Sequence, residues 1–363
     1  MSECSESISE RRRTRSVSVG DVQIGGGAPI SVQSMTKTHT RNVDGTLAQI
    51  GELAERGCQI IRCAVPTRRA IEPFGEVAEK SALPVIADIH FDPSLALLAL
   101  EAGADGVRVN PPTISDLGRL TEVYAEAGRR GTKVRIGINS GSVRARKGLE
   151  VEELEAGDDM ARLMVEQALR CCEEAEKAGC PHLVVSLKAS DVPTTLRAYR
   201  MAANRCDYPF HVGVTAAGPP NESLVRSAVG IGTLLAEGIG DTIRVSMTGP
   251  PHEEVDGALQ ILHALGLRPK QGPRIVSCPT CGRCNIDLRS LVDEVQEELS
   301  GCEKDVTVAV MGCVVNGPGE AAEADLGVAG GKDCGYVFRN GQKIAREPAS
   351  RLATALLNEI ENL

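Results

Sequence analysis

From residue 30 to about residue 265 the chain alternates between two patterns. Short runs rich in Val and Ile are followed by longer Ala-, Leu- and Glu-rich stretches whose apolar positions recur at helical spacing. The short runs predict eight strands: Ile30–Met35, Gln59–Ala64, Pro84–Ile89, Gly106–Asn110, Lys133–Asn139, His182–Leu187, Phe210–Thr215 and Thr242–Met247. Helices are predicted between them, for example over Thr46–Arg56, Asp116–Arg129, Ala161–Ala178 and Asn221–Ala236. Eight strand–helix units in ~250 residues match a (β/α)8 barrel. A doubly wound parallel sheet is the alternative, because alternation does not reveal closure.

The stretch Gly266–Gln271 has no apolar period and reads as a linker. Beyond it the pattern predicts strands at Arg274–Ser277, Val306–Met311, Tyr336–Phe338 and Lys343–Ala345, with helices at Leu288–Ser300 and Ser350–Glu361. The expected fold is therefore α/β: a TIM-type barrel over 19–268, then a small α+β domain over 273–363. Residues 1–18 are polar and read as a mobile tail. They lack the apolar segment of a secretory leader, and Glu3, Glu6 and Glu10 are unlike an organellar transit peptide. With no apolar run of about 18 residues, no membrane span is expected, and the expected location is the cytoplasm.

Composition narrows the partners. A net charge of −9 argues against nucleic-acid binding, which calls for a basic surface. With no Trp, four Tyr and four Phe, platforms for base stacking are not expected. The 13 cysteines are odd in number and not spaced like a secreted scaffold. In a cytosolic chain such residues serve as metal ligands, catalytic groups or small buried apolar residues.

One cysteine group invites a metal. Residues 277–284 read Ser-Cys-Pro-Thr-Cys-Gly-Arg-Cys, and Cys313 follows the predicted strand at Val306–Met311. The loop Gly317-Pro-Gly319 could return Glu320 towards the same centre. Three readings compete, beside inert thiols. A zinc ribbon fits Cys278 and Cys281 but lacks its second knuckle. A ferredoxin-like run through Cys278, Cys281 and Cys284 lacks the usual fourth Cys and following Pro. An iron–sulfur cluster on three thiolates and a displaceable carboxylate would leave one iron open to substrate. Cys58, Cys63, Cys171, Cys172, Cys180 and Cys206 read as buried free thiols, and Cys284, Cys302 and Cys334 are unassigned.

A second group is cationic. In a (β/α)8 barrel, chemistry gathers at the C-terminal strand ends. Arg62, Arg108, Arg135, Lys188 and Arg244 fall in or at the ends of predicted strands, with Asp88, His90, Asn110, Asn139 and Ser246 beside them. One such Arg is readily an internal ion pair or a solvated rim residue. Five need a counter-charge, and a diphosphate matched by guanidinium forks would supply it. Gly25-Gly26-Gly27 is a weak phosphate-loop signal and reads better as a turn.

Together these segments resemble bacterial 4-hydroxy-3-methylbut-2-enyl diphosphate synthase, an iron–sulfur enzyme of the methylerythritol phosphate route to isoprenoids. The resemblance is carried by Ile30-Ser-Val-Gln-Ser-Met-Thr36, Ile61-Arg-Cys-Ala-Val-Pro66, Ala87-Asp-Ile-His90, Val107-Arg-Val-Asn-Pro111, Arg135-Ile-Gly-Ile-Asn-Ser-Gly141, Ser186-Leu-Lys188, Arg244-Val-Ser-Met-Thr-Gly249, Ser277-Cys-Pro-Thr-Cys-Gly-Arg283 and Met311-Gly-Cys-Val-Val-Asn-Gly-Pro-Gly-Glu320. It implies two-electron reductive ring opening and dehydration of 2-C-methyl-D-erythritol 2,4-cyclodiphosphate. It further implies a [4Fe–4S] cluster on Cys278, Cys281, Cys313 and Glu320. Substrate contacts are implied for Arg62, Arg108, Arg135, Asn139, Lys188, Arg244 and Ser246. Flavodoxin or ferredoxin would donate the electrons. The implied assembly is a homodimer in which one subunit's cluster domain caps the other's barrel. Glu320, Asn139 and His90 are the expected catalytic residues. A pterin-type transferase barrel and a zinc-binding scaffold are the alternatives.

One departure matters. Where the family pattern is Thr-Glu-Ala-Gly, this chain has Thr215-Ala216-Ala217-Gly218. A carboxylate there could deliver the proton that releases water, and Ala216 cannot. The expected consequence is intact cluster and substrate binding with severely lowered turnover.

Overall fold

The computed structural model describes residues 9–147, 157–215, 218–269, 272–299, 302, 304–313, 319 and 321–362. The chain divides into two compact units, Met1–Arg268 and Pro269–Leu363. The division falls inside the stretch read as a linker.

The first unit opens with an antiparallel hairpin, β1 (Ser16–Val19) and β2 (Val22–Gly25). Eight parallel strands follow: β3 (Ser31–Met35), β4 (Ile60–Ala64), β5 (Val85–Ile89), β6 (Gly106–Val109), β7 (Lys133–Asn139), β8 (Leu183–Lys188), β9 (His211–Val212) and β10 (Thr242–Ile243). Each pairs in sequence order, and β10 pairs β3. A parallel bridge from Val185 to Phe210 closes β8 onto the β9 side. The barrel is therefore closed, and the doubly wound alternative falls.

The outer layer is helical: α1 (Val43–Glu55), α2 (Ile71–Lys80), α3 (Ser94–Glu101), α4 (Leu117–Arg130), α5 (Ser140–Lys147), α6 (Gly157–Lys177), α7 (Val192–Ala203), α8 (Pro220–Ala236) and α9 (Pro251–Ala264). Their starts follow ordinary capping chemistry. Asp116 and Asp191 accept backbone N–H groups of Arg119 and Thr194 at 2.9 and 2.7 Å. The helix α4 ends on Gly131, whose φ of 66° is a left-handed stop.

Strand parity explains how the wall sorts its residues, because alternate side chains face opposite sides. One set, including Val32, Ile61, Val85, Val107, Ile136, Val185 and Ile243, packs outward in the main apolar core. The other set points inward and is largely polar: Gln33, Arg62, Asp88, Arg108, Lys133, Arg135, Ser186, Lys188, His211, Thr242 and Arg244. A barrel interior is usually filled by branched apolar side chains. Here that filling is confined to the N-terminal end. There Ile60, Ile86 and Val184 meet Val17, Val19 and Ile24 of the hairpin, all buried.

Two differences from the sequence reading have physical causes. First, residues 9–18 are docked rather than a tail; residues 1–8 lie outside the described residues. Arg11 donates to Ala28 O at 2.5 Å and pairs with Asp241 at 3.3 Å. Arg12 donates to the carbonyls of Cys206 and Tyr208 and lies 4.0 Å from the Phe210 ring centre. Arg15 pairs with Asp207 at 2.7 Å. A polar run looks solvated in sequence, but these guanidiniums meet carbonyls and carboxylates that the barrel leaves exposed. Second, β9 and β10 are shorter than predicted. A Cβ on Gly213 would lie 2.5 Å from Arg244 O, so the chains crowd there and leave the regular ladder. In line with the sequence reading, Gly25, Gly26 and Gly27 have φ of 74°, 61° and 85° and form the turn out of the hairpin.

The second unit is a five-stranded mixed sheet: β11 (Arg274–Ser277), β12 (Thr307–Met311), β13 (Leu326–Ala329), β14 (Cys334–Arg339) and β15 (Gln342–Pro348), in that order. The first three strands are parallel, and the last two run antiparallel. Helices α10 (Leu288–Glu298) and α11 (Leu352–Glu361) cover one face with Leu291, Val295, Leu352 and Leu356. The central β13 was not predicted. Its Leu-Gly-Val-Ala run is buried on both faces and shows no alternation.

Candidate functional site

The inward cations form one connected well. Arg62 on β4 and Arg108 on β6 flank Asp88 on β5, with separations of 3.8 and 3.3 Å. Arg108 also donates to His90 Nε2 at 2.8 Å and to Gly137 O at 3.4 Å. A guanidinium has only donors, so His90 Nε2 is the acceptor. His90 Nε2 also lies 3.6 Å from Asp88. Burial opposes ionisation of Asp88, but the flanking Arg62 and Arg108 outweigh it and hold the carboxyl well below its usual range.

Opposite, Arg244 forks onto Glu254 of α9, with Nη2 at 3.0 Å and Nε at 3.1 Å. Glu254 also takes Lys37 at 3.1 Å, Ser34 Oγ at 3.4 Å and the Met247 N–H at 3.3 Å. Between the two pairs sits the Met35 thioether. Arg62 approaches its sulfur at 3.0 and 3.3 Å, and Arg244 at 3.8 Å.

The remaining cations are less compensated. Arg135 is 1% exposed; its Nη1 donates to Gln33 Oε1, and its Nη2 has no hydrogen-bond partner among the described residues. Burial, then Arg62 and Arg108, pull it well below its ordinary value. Lys188 contacts His211 Nε2 at 3.2 Å. Burial, then Arg244 and Arg135, lower its affinity for a proton as well. Burial brings Arg62 down to about 10, with Asp88 opposing. The well therefore favours an anion, which would supply the missing counter-charge.

Glycines make the room. A Cβ on Gly137 would lie 2.6 Å from Arg108 Nε, and one on Gly213 would lie 2.7 Å from Lys188 Nζ. On Gly106 it would meet Lys133 Cε at 3.1 Å. Each of these long cations lies across a strand where a larger residue would push it aside.

Arg62, Arg108, Arg135, Lys188 and Arg244 thus share one enclosure. Asn139 ends β7 half-buried, and Ser246 is half-buried past β10. Asn110 Oδ1 accepts from Ser142 Oγ at 3.2 Å. Gln33, Met35, Lys133, His211 and Glu254 were missed. For Gln33, Met35, Lys133 and His211 the available signal was parity, since each lies an even number of residues from an inward group on its strand or abuts one. Glu254 is on a helix and had no such signal. Phe91, beside His90, is 72% exposed with φ of 63°, a strained setting for a bulky side chain. Ala216 and Glu320 lie outside the described residues.

The cysteine site belongs to the second unit. Cys278 follows β11, and Cys313 lies just beyond the neighbouring parallel strand β12. The Gly312 N–H donates to Cys278 Sγ at 3.3 Å. A Cβ at Gly312 would lie 2.4 Å from Cys284 Sγ and 3.5 Å from Cys278 Sγ, so only glycine admits both sulfurs. Cys281 is exposed. The Arg283 N–H, aided by the Arg283 side chain, lowers its pKa and favours the thiolate. Cys284 instead donates its S–H to Ile286 O at 3.3 Å. Among the described residues no three ligating side chains already converge on a metal position. Yet N–H donors to sulfur, thiolate bias and the shared end of two strands fit a thiolate-ligated iron group.

A closed barrel with a cationic well, followed by a cysteine-bearing α+β domain, defines a class of two-domain TIM-barrel proteins. Within that class the chain belongs to the GcpE family. The GcpE TIM-barrel domain matches residues 14–259, and the GcpE protein C-terminal domain matches 274–362. Its relatives include the 4-hydroxy-3-methylbut-2-en-1-yl diphosphate synthase (flavodoxin) of Geobacter sulfurreducens, 51% identical over 354 residues, covering 97% of this chain and 98% of that protein. The protein of the same name from Aquifex aeolicus is 49% identical over 355 residues, covering 98% of each. Among solved structures, dihydropteroate synthase from Xanthomonas albilineans is similar at a TM-score of 0.48 and 16% identity, covering 70% of this chain and 99% of that one.

Proposed function

We propose that this chain catalyses the reductive ring opening and dehydration of 2-C-methyl-D-erythritol 2,4-cyclodiphosphate to 4-hydroxy-3-methylbut-2-enyl diphosphate. Two electrons and two protons enter, a C–O bond to phosphate breaks, and one oxygen leaves as water. The observation that carries this reading is the under-compensated cationic well, in a family whose curated relatives bear that name.

In this reading Arg62, Arg108, Arg135, Lys188 and Arg244 bind the diphosphate, while Asn139 and Ser246 orient the carbon portion. Asp88 and Glu254 aim the arginines rather than touch substrate. His90, bonded to Arg108, is placed to hold a substrate oxygen. Cys278, Cys281, Cys313 and Glu320 would hold a [4Fe–4S] cluster. When bound, that group supplies single electrons and a Lewis-acidic iron for the departing oxygen. Flavodoxin is the proposed donor, following the relatives' printed name, and ferredoxin is the alternative. A cytoplasmic homodimer completes the proposal. Among the described residues no helix is long and apolar enough to cross a membrane.

The test is anaerobic purification with iron, sulfide and zinc analysis, then turnover of the cyclodiphosphate with reduced flavodoxin. Iron and sulfide in near-equal amounts, with absorbance near ~400 nm, are expected. Zinc without that absorbance would remove the redox reading.

A further inference from the structure

Lys188 and His211 face each other from adjacent strands inside the well. The ring of His211 is 1% exposed. Its Nε2 lies 3.2 Å from Lys188 Nζ, and its Nδ1 lies 3.5 Å from Thr242 Oγ1. With Lys188 as an ammonium, which has only donors, Nε2 carries the lone pair, and the ring proton sits on Nδ1, facing the threonine hydroxyl. Two cations cannot share this bridge. Two residues on, Gly213 leaves the space that Lys188 Nζ occupies. His211 and Gly213 together form a saddle for the ammonium.

The backbone beneath the saddle is fixed independently. Tyr199 of α7 donates to His211 O at 2.5 Å and accepts from the Leu187 N–H at 3.0 Å. It thereby ties the strand that presents His211 to the strand that presents Lys188.

We propose that His211 is a positioning residue for anion binding: neutral, it accepts one hydrogen of the Lys188 ammonium and holds that cation over Gly213, leaving the other two for a ligand phosphate. The ligand class follows from the function proposed above; the role of His211 follows from the bridge. The charged groups that act on Lys188 are Arg244, Arg135 of β7, Arg62 of β4 and Arg108 of β6; Lys133 of β7 acts on His211, and the carboxylates of the well, Asp88 and Glu254, pair with Arg62, Arg108 and Arg244. Cations outnumber carboxylates there and favour loss of the Lys188 proton; an acceptor at 3.2 Å opposes that loss. Burial, Arg135 and Lys188 hold the ring itself below its ordinary value, which agrees with a neutral base.

Inorganic pyrophosphate, titrated calorimetrically into the full chain, tests this without turnover. Removing an acceptor from a charged donor should weaken binding by roughly 10- to 100-fold in His211→Leu. His211→Gln, which keeps an acceptor oxygen, should recover most of that loss. From pH 7 to 9 the His211→Leu affinity should fall more steeply than that of the unaltered chain, because Lys188 loses its proton sooner. In a Lys188→Met background the His211→Leu change should add little. The inference is overturned by equal affinity and pH dependence in His211→Leu, by its full loss persisting without Lys188, or by absent pyrophosphate binding in the unaltered chain. Should His211→Leu not fold, ¹⁵N spectra of histidine-labelled protein decide: a neutral Nδ1–H ring supports the proposal, and an imidazolium or an Nε2–H ring overturns it. Pyrophosphate binding that depends on His211 without cyclodiphosphate turnover would sink the synthase reading alone. Normal turnover with His211-independent binding would sink this inference alone.

Discussion

Arg135 is the residue at which fold and ligand make opposite demands. The residue is 1% exposed, and its guanidinium donates to Gln33 and leaves Nη2 without a hydrogen-bond partner among the described residues. Burying an ion costs several kcal/mol after relaxation, and Arg62, Arg108 and Arg244 add repulsion that Asp88 opposes. Arg135→Met removes that cost while keeping an unbranched chain of similar reach. Against the gain stands about 1 kcal/mol for the lost Gln33 bond and about 1–3 kcal/mol for the orphaned Gln33 oxygen. The balance is a stabilisation of about 1–2 kcal/mol. At roughly 2–4 °C per kcal/mol for a domain of this size, the barrel transition should rise by about 2–8 °C. Scanning calorimetry with and without pyrophosphate reads both sides. Ligand at 100 times its Kd stabilises the unaltered chain by about 2.7 kcal/mol, whereas the variant should show little response. A lower transition temperature in ligand-free Arg135→Met would refute the claim that the well is strained for its ligand.

Other changes have definite expected outcomes. Ala216→Glu should raise cyclodiphosphate turnover by ~100-fold or more, the usual worth of a placed proton donor; equal rates would mean that another group does this work. Glu254→Gln strips the main partner from Arg244 and should destabilise the barrel by about 2–4 kcal/mol in denaturant titration, an effect that an unchanged midpoint would contradict. Acid stability follows from Asp88. A carboxyl depressed in the folded state contributes stability that is complete above the unfolded value near ~4 and is lost as pH falls towards the folded value. Asp88→Asn should therefore flatten the loss of stability measured below about pH 4.

Several parts of the molecule were legible because one physical rule governs both pattern and structure. Arg62, Arg108, Arg135, Lys188 and Arg244 were legible as cations in or at the ends of predicted strands, where a barrel gathers its chemistry. The alternation of outward Val and Ile with inward Arg is what sets them on one wall. The residues that compensate them were not legible. Glu254 reaches Arg244 from a helix, and Met35 and Gln33 are neutral groups whose role as acceptors appears only when guanidiniums converge on them. His211 in sequence is one of six histidines, and its meaning comes from a neighbour 23 residues earlier. Arg11, Arg12 and Arg15 were misread because composition marks solvated runs but does not show which carbonyls a fold leaves waiting. Closure of the barrel and the central strand β13 likewise depend on long-range pairing.

The apolar hairpin that stops the barrel's N-terminal end also has a kinetic meaning. With Val17, Val19 and Ile24 sealing that end, the described residues leave the C-terminal rim as the route along the barrel axis. Substrate, water and product must pass the same rim, and any electron-carrying surface that reaches the substrate must use it too. The inhibition pattern should report this, with product competing against substrate for one entrance and a covering partner trapping whichever is inside.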